Sequence, residues 1–176
     1  MAEIPRVVFC NAGPLIALAK LNRLTLLSRL YPNLAVPRAV HREVVEEGLS
    51  LGAPDATVAR LFFARSGCPI VDAAREVVDS FQPIGELDLG ERALLALARH
   101  CPGALVLLDD EQARNEARRL GLRVKGTLGV LVSAYRAGFV DLEEVEMLLL
   151  TLAERTDIWI SRTLCEQVLA ELLHSP

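Results

Sequence analysis

Short, unbroken apolar runs of strand length alternate along this chain with segments of helical apolar spacing. Val7, Val8 and Phe9 follow one another without polar interruption, as do the residues of 104–108. A strand that is apolar on both faces has to be covered on both faces, which is the condition of a parallel sheet wrapped by helices. The pattern therefore predicts an α/β fold, a three-layer α/β/α sandwich with a mainly parallel sheet. The chain has 176 residues, 52% of them hydrophobic and 24% charged. That is enough for one ordinary domain with an aliphatic core, and it excludes a disordered chain.

The breaks place the elements. Asn11-Ala12-Gly13-Pro14 ends the first strand, and Pro14 opens a helix that turns Leu15, Leu18 and Ala19 inward and continues through Leu24, Leu27 and Leu30. Tyr31-Pro32-Asn33 interrupts it, and Leu34-Ala35-Val36 forms a second strand. A helix over 39–47 follows, with Val40 and Val44 on one face and a stop at Gly48. Residues 49–54 read as loop and 57–65 as helix. Ile70-Val71 suits a strand and 73–81 a short helix, although the stretch 49–83 has the least regular pattern. A helix from Leu89 to about His100 precedes the strand over 104–108, and Ala113, Ala117 and Leu120 mark the buried face of the helix after it. Arg123-Val124 suits one more strand, with Thr127 as N-cap of a helix over 128–137. Amphipathic stretches at 142–155 and 163–173 close the chain.

Several function classes are excluded or disfavoured. The net charge is −4, so no global field attracts nucleic acid, although an acidic metal site beside a local basic strip remains compatible. Aromatics are 5% of the residues, too few for a sheet platform of stacked bases. The four cysteines, Cys10, Cys68, Cys101 and Cys165, are far apart and form no CxxC pair, which predicts reduced, mostly buried thiols. His41, His100 and His174 lack zinc spacing, and Gly126-Thr127-Leu128-Gly129 lacks the lysine of a P-loop. Met1 to Arg6 has no basic start followed by an apolar run, and no apolar stretch is long enough to span a bilayer, so a cytoplasmic protein without a membrane partner is expected.

In open parallel sheets, functional groups gather beyond the carboxyl ends of the strands. Asn11 lies just past the first strand, and Asp109 and Asp110 just past the strand over 104–108. Glu91 begins the helix before that strand, and Glu43 lies in the helix after the second. Converging, they would form an all-oxygen donor set of the kind preferred by Mg²⁺ or Mn²⁺. Each has a plainer reading as well: Asp110 and Glu91 as helix-start residues, Glu43 with Glu46 and Glu47 as a solvated face, Asn11 as a turn residue.

The order of these pieces is more specific than any one of them. Phe9-Cys10-Asn11-Ala12-Gly13-Pro14-Leu15 resembles the opening of PIN-domain proteins, Val36-Pro37-Arg38-Ala39-Val40-His41-Arg42-Glu43 their second strand and acidic helix, and Leu87-Asp88-Leu89-Gly90-Glu91 their third acidic position. Leu107-Leu108-Asp109-Asp110 is similar to the fourth, and Gly121 to Leu131 is similar to a subgroup related to VapC toxins. The resemblance covers about residues 5–140, which makes 1–140 a PIN-like nuclease domain and 141–176 a pair of C-terminal helices packed on it or used for association.

The resemblance implies a Mg²⁺- or Mn²⁺-dependent endoribonuclease, in many cases the toxin of a toxin–antitoxin pair, in which metal-activated water attacks an RNA phosphodiester in line. Carried over by position, Asn11, Glu43, Glu91 and Asp110 are the catalytic residues, and Asp109 joins them as a metal ligand. Asn11 stands where most active members have Asp, and Gly13 where they have Ser. An RNA substrate, an antitoxin protein and a homodimer are the implied partners. The alternative is a PIN fold of low or no activity that works by binding. Arg114 and Arg118, one turn apart beside Asp110, together with Lys125 and Thr127, are the candidates for holding substrate.

Overall fold

A computed structural model of the chain describes residues 7–174. The segment Met1 to Arg6, which lacks a signal-peptide pattern, lies outside the described residues.

Five parallel strands form one sheet in the order β3-β2-β1-β4-β5. β1 (Val8–Cys10) leads into α1 (Ala12–Lys20) and α2 (Thr25–Leu30). β2 (Leu34–Pro37) leads into α3 (Arg38–His41), a π-helical turn at Arg42–Glu47, α4 (Gly48–Ser50) and α5 (Pro54–Ser66). β3 (Ile70–Val71) is followed by α6 (Arg75–Asp79) and α7 (Leu89–Ala98), and β4 (Leu105–Leu107) by α8 (Glu111–Arg119). β5 (Arg123–Lys125) precedes α9 (Thr127–Arg136), α10 (Leu142–Glu154) and α11 (Arg162–His174).

The sheet divides the core by strand alternation. Val8, Cys10, Leu34, Val36, Leu105 and Leu107 face one layer, packed with Leu15, Leu18, Val40, Phe62 and Leu131. Phe9, Ala35, Val106 and Leu108 face the other, packed with Phe81, Leu94, Leu95, Ala113 and Ala117. The result is the three-layer α/β/α sandwich that the apolar runs predict. α10 and α11 add Val145, Leu148, Leu149, Leu152, Cys165 and Leu172 to the first layer. All four cysteines are free, with Cys10 and Cys165 buried. No helix among the described residues is long and apolar enough to cross a membrane.

The structure differs from the sequence expectation at three places. The helix after β1 does not run through to Leu30: Asn22 adopts φ 54°, and the Arg23 N–H closes back onto the Leu18 carbonyl at 2.8 Å. Gly48 does not stop a helix; helical backbone passes through it into α4. Its role is packing, because a Cβ there would lie 2.8 Å from Ala56 Cβ, so only glycine lets α5 approach this closely. Thr127 is the first helical residue of α9 rather than its N-cap, which is Gly126.

Leu107 lies at the centre of the sheet with no exposed surface. Leu107→Ala removes its packing and leaves a cavity, and is expected to lower unfolding free energy by about 2–5 kcal/mol in urea titration.

Candidate functional site

Strand order decides where a site can form. The chain leaves β1 for β2 on one side of the sheet and later returns to place β4 on the other side of β1. α1, after β1, packs in one layer, whereas α8, after β4, packs in the opposite layer. The two helices diverge beyond the adjacent carboxyl ends of β1 and β4, and a crevice opens at this switch point. Asn11 and the Asp109-Asp110 pair lie on its two sides.

Asn11 occupies the N-cap position of α1, but its side chain makes no cap hydrogen bond. The third helical position is Pro14, which has no N–H to donate, so one of the two usual donors to an asparagine cap is missing. Asn11 is 6% exposed, and its Oδ1 is buried without a hydrogen-bond partner. That oxygen lies 3.3 Å from where a Cβ on Gly90 would be, against the start of α7. Glycine at 90 is what allows the approach.

Glu91 is at the third position of α7 and forms a capping box with Asp88. The Glu91 N–H donates to Asp88 Oδ1 at 2.7 Å, and the Asp88 N–H donates to Glu91 Oε2 at 3.1 Å. Glu91 is buried, and burial pushes its carboxyl up to about 7, with the negative charges of Asp88, Asp110 and Glu43 adding to the rise against the pull of the Asp88 N–H. Glu43 sits in the π-helical turn, next to the buried Val44 and Val45. Its carboxyl is also pushed up to about 7, first by burial and then by Asp88 and Glu47.

The two aspartates diverge. Asp110 is exposed and caps α8, its Oδ1 accepting from the Ala113 N–H at 2.9 Å, and its charge is felt at Glu91. Asp109 turns toward α9 and is held by Thr127, whose N–H donates to Oδ1 at 2.7 Å and whose hydroxyl donates to Oδ2 at 2.6 Å. Burial raises the Asp109 carboxyl, while these two bonds and the Arg114 charge lower it. Glycines make the room: a Cβ on Gly13 would lie 3.3 Å from Asp109 Oδ2, and one on Gly126 would lie 2.9 Å from Oδ1 and 2.7 Å from Arg114 Nη1. Gly13, Glu43 and Asp109 line one cavity of about 380 Å³.

The expected substrate residues are placed differently from one another. Thr127 is fully buried, and its hydroxyl is committed to Asp109, so it positions that carboxylate and presents nothing to a ligand. Arg114 lies under the end of β4, with Nη1 donating to the Leu108 carbonyl at 3.3 Å and Nε buried without a hydrogen bond. Arg118 points to the surface, paired with Glu111 at 3.3 Å and Asn115 at 2.8 Å. Lys125 Nζ donates to Ser133 Oγ at 2.7 Å, on the far side of Gly126. Two residues at the crevice were not among the sequence candidates. Asp88 carries the spacing of a capping box three residues before Glu91, which would have found it. Trp159, between two isoleucines, has no such signal; it is the chain's one tryptophan and is fully exposed at the rim.

An amide oxygen buried without a donor costs about 1–3 kcal/mol, and clustered carboxylates repel one another. A hard divalent cation relieves both, and the donor set is entirely oxygen. Among the described residues no three His, Cys, Asp or Glu side chains lie together in a group that could hold a metal ion. Mg²⁺ does not require one, since it keeps several waters and binds through one or two carboxylates. The oxygen donors present are of the type that suits such an ion held through one or two carboxylates and water.

A family model described as a PIN domain matches residues 7–173, and the chain belongs to that family. No curated protein matches the chain.

Glu43 and Glu91 bind protons more tightly in the folded state than unfolded, so the unfolded chain holds fewer protons between about pH 4.5 and 7 and stability falls as pH rises through that window. Metal-free protein is expected to melt at lower temperature at pH 7.5 than at pH 5 because of these groups, and Glu43→Gln to flatten the dependence in thermal scans. Thr127→Val keeps shape but removes one bond to Asp109, and should cost about 1.5–3 kcal/mol in urea unfolding.

Proposed function

We propose that this PIN-domain protein is a Mg²⁺- or Mn²⁺-dependent endoribonuclease that hydrolyses RNA phosphodiester bonds, and that it is the toxin component of a toxin–antitoxin system in the cytoplasm. The nuclease-type fold belongs to the family. The observation that carries the finer reading is the orphaned Asn11 Oδ1, buried against the start of α7 and close to carboxylates that burial and mutual repulsion push toward neutral pKa values.

Asn11 with one or two of the carboxylates of Glu43, Glu91 and Asp110 would hold the metal directly and the others through water, with Asp109 on the side of the crevice facing Gly13. When bound, the metal activates water and neutralises charge developing on the phosphate oxygens. The chain's own residues supply the rest. Thr127 fixes the rotamer of Asp109 through two hydrogen bonds, and Asp88 fixes that of Glu91. Arg114 places a guanidinium next to Asp109, where its charge offsets part of the acidic field that would repel a polyanion. The toxin role is supported by the Gly121 to Leu131 segment and its similarity to VapC-related members. Met147 and Leu150, three positions apart and exposed on α10, are the apolar residues suited to contact with a second copy or an antitoxin.

Two features favour the second reading, a PIN fold that binds without cutting. Asn11 brings no charge to a position usually held by Asp, and Gly13 brings no hydroxyl. The test is cleavage of a labelled single-stranded RNA panel with Mn²⁺, comparing the native chain with Asp110→Asn purified identically, with and without EDTA. The native protein is expected to cleave, EDTA to abolish cleavage, and Asp110→Asn to lower it about 10–100-fold or more. Asn11→Asp adds a charge and should reduce the Mn²⁺ concentration needed for half-maximal cleavage. Cleavage by neither protein would favour the binding-only reading.

A further inference from the structure

The connection between α10 and α11 crosses the mouth of the acidic crevice, and its anchoring is specific. Asp157 pairs with Lys20 Nζ at 2.8 Å, at the end of α1, and with Arg155 through two contacts of 2.9 Å. Arg155 and Lys20 together hold its carboxyl below the usual range. Ile158 and Ile160 pack partly buried against the core, which leaves Trp159 between them directed outward and completely exposed. An indole in water, on a segment pinned at one end by two cations and along its length by two isoleucines, is held in place without being used by the core.

Its position joins two cavities. Trp159 and Asp109 line both the cavity of about 380 Å³ that contains Glu43 and a neighbouring one of about 520 Å³ bounded by Arg114, Lys125 and Gly126. Lys125, Leu128, Gly129 and Val168 are in turn shared between that second cavity and a third of about 970 Å³, which Arg136 borders. A continuous track therefore runs from the carboxylates, past the indole, to a cationic end. Burial, and then the charges of Arg123 and Arg136, lower the pKa of the Lys125 ammonium, and among the described residues its hydrogen bond goes to the Ser133 hydroxyl. The carboxylate on that wall is Glu171.

We infer that Trp159 is a base-stacking residue: a nucleobase of a single strand stacks on the indole, and the phosphate beyond it is held by Lys125 and Arg136. This rests on the nuclease reading only for the assignment of the preceding phosphate to the acidic end. An alternating phosphate–base–phosphate ligand matches the track's alternating polar, aromatic and cationic order, and stacking is tolerant of base identity. The interior of a duplex cannot serve, because both faces of each base are already stacked on its neighbours.

Trp159 is the chain's one tryptophan, so its fluorescence reports the contact directly. The full chain in EDTA is titrated with single-stranded oligodeoxythymidine and, separately, with a blunt DNA duplex, while anisotropy of a labelled strand measures affinity. Expected results are quenching by the single strand alone, about tenfold weaker binding for Trp159→Ala, near-native binding for Trp159→Phe, and for Arg136→Glu weaker binding with a shallower salt dependence. Equal affinity of Trp159→Ala and the native chain would overturn the inference and leave the nuclease reading standing. Quenching with no metal-dependent RNA cleavage in the separate assay would do the reverse. Absence of binding, or a concentration-dependent blue shift without oligonucleotide, would also overturn it, the latter by showing Trp159 covered by a second copy.

Discussion

The parallel pairing of β1 with β4 is the contact on which the rest of this protein depends. Val8, Phe9 and Cys10 run opposite Leu105, Val106 and Leu107, and the chain leaves the two strands toward opposite layers. The positions just past both strand ends lie where α1 and α8 diverge. Asn11, Asp109 and Asp110 fill those positions, and the helix before β4 brings Glu91 to the same edge. The acidic crevice follows from connectivity as much as from the residues that line it.

Within the crevice, backbone features replace side chains as positioning devices. Pro14 removes one of the two usual cap donors to Asn11, whose oxygen is left without a partner. Gly13, Gly90 and Gly126 each stand where a Cβ would press on a site atom: Asp109 Oδ2, Asn11 Oδ1, and Asp109 Oδ1 with Arg114 Nη1, respectively. Thr127 spends both its donors on Asp109. The site thus stores unfavourable electrostatics, two glutamates with carboxyls raised to about 7 and an unpaired amide oxygen, that the fold tolerates because its aliphatic core is extensive.

The cationic side is arranged with less economy of charge. Arg118 and Arg119 are consumed by Glu111 and Glu116 on α8, so the basic strip visible in the sequence is mostly an exposed, paired helix face. The cations lining the two cavities that contain Asp109 are Lys20, Arg114 and Lys125, drawn from three elements far apart in the chain. Lys20 is tied to Asp157, and this pair is what fixes the α10–α11 connection, with Trp159, over the crevice mouth.

Much of this was legible beforehand. Apolar runs without interruption announced strands buried on both faces, the break at Asn11-Ala12-Gly13-Pro14 located the end of the first and the change to Asp109-Asp110 that of the strand over 104–108, so the layer architecture and these strand-end positions were legible from the sequence. Helix caps are local, and the spacing of Asp88 and Glu91 already contained theirs. Other features were decided by tertiary structure because they depend on distance between segments remote in sequence. Gly48 reads as a stop until α5 packs against it. Thr127 reads as a cap until Asp109, eighteen positions earlier, takes its hydroxyl. The divergence of two adjacent aspartates follows from which helix each meets, and the exposure of Trp159 follows from two isoleucines that take the core positions on either side. Periodicity and breakers report what a residue does to its own backbone; what a side chain does for a site depends on which distant neighbours the sheet order brings within reach.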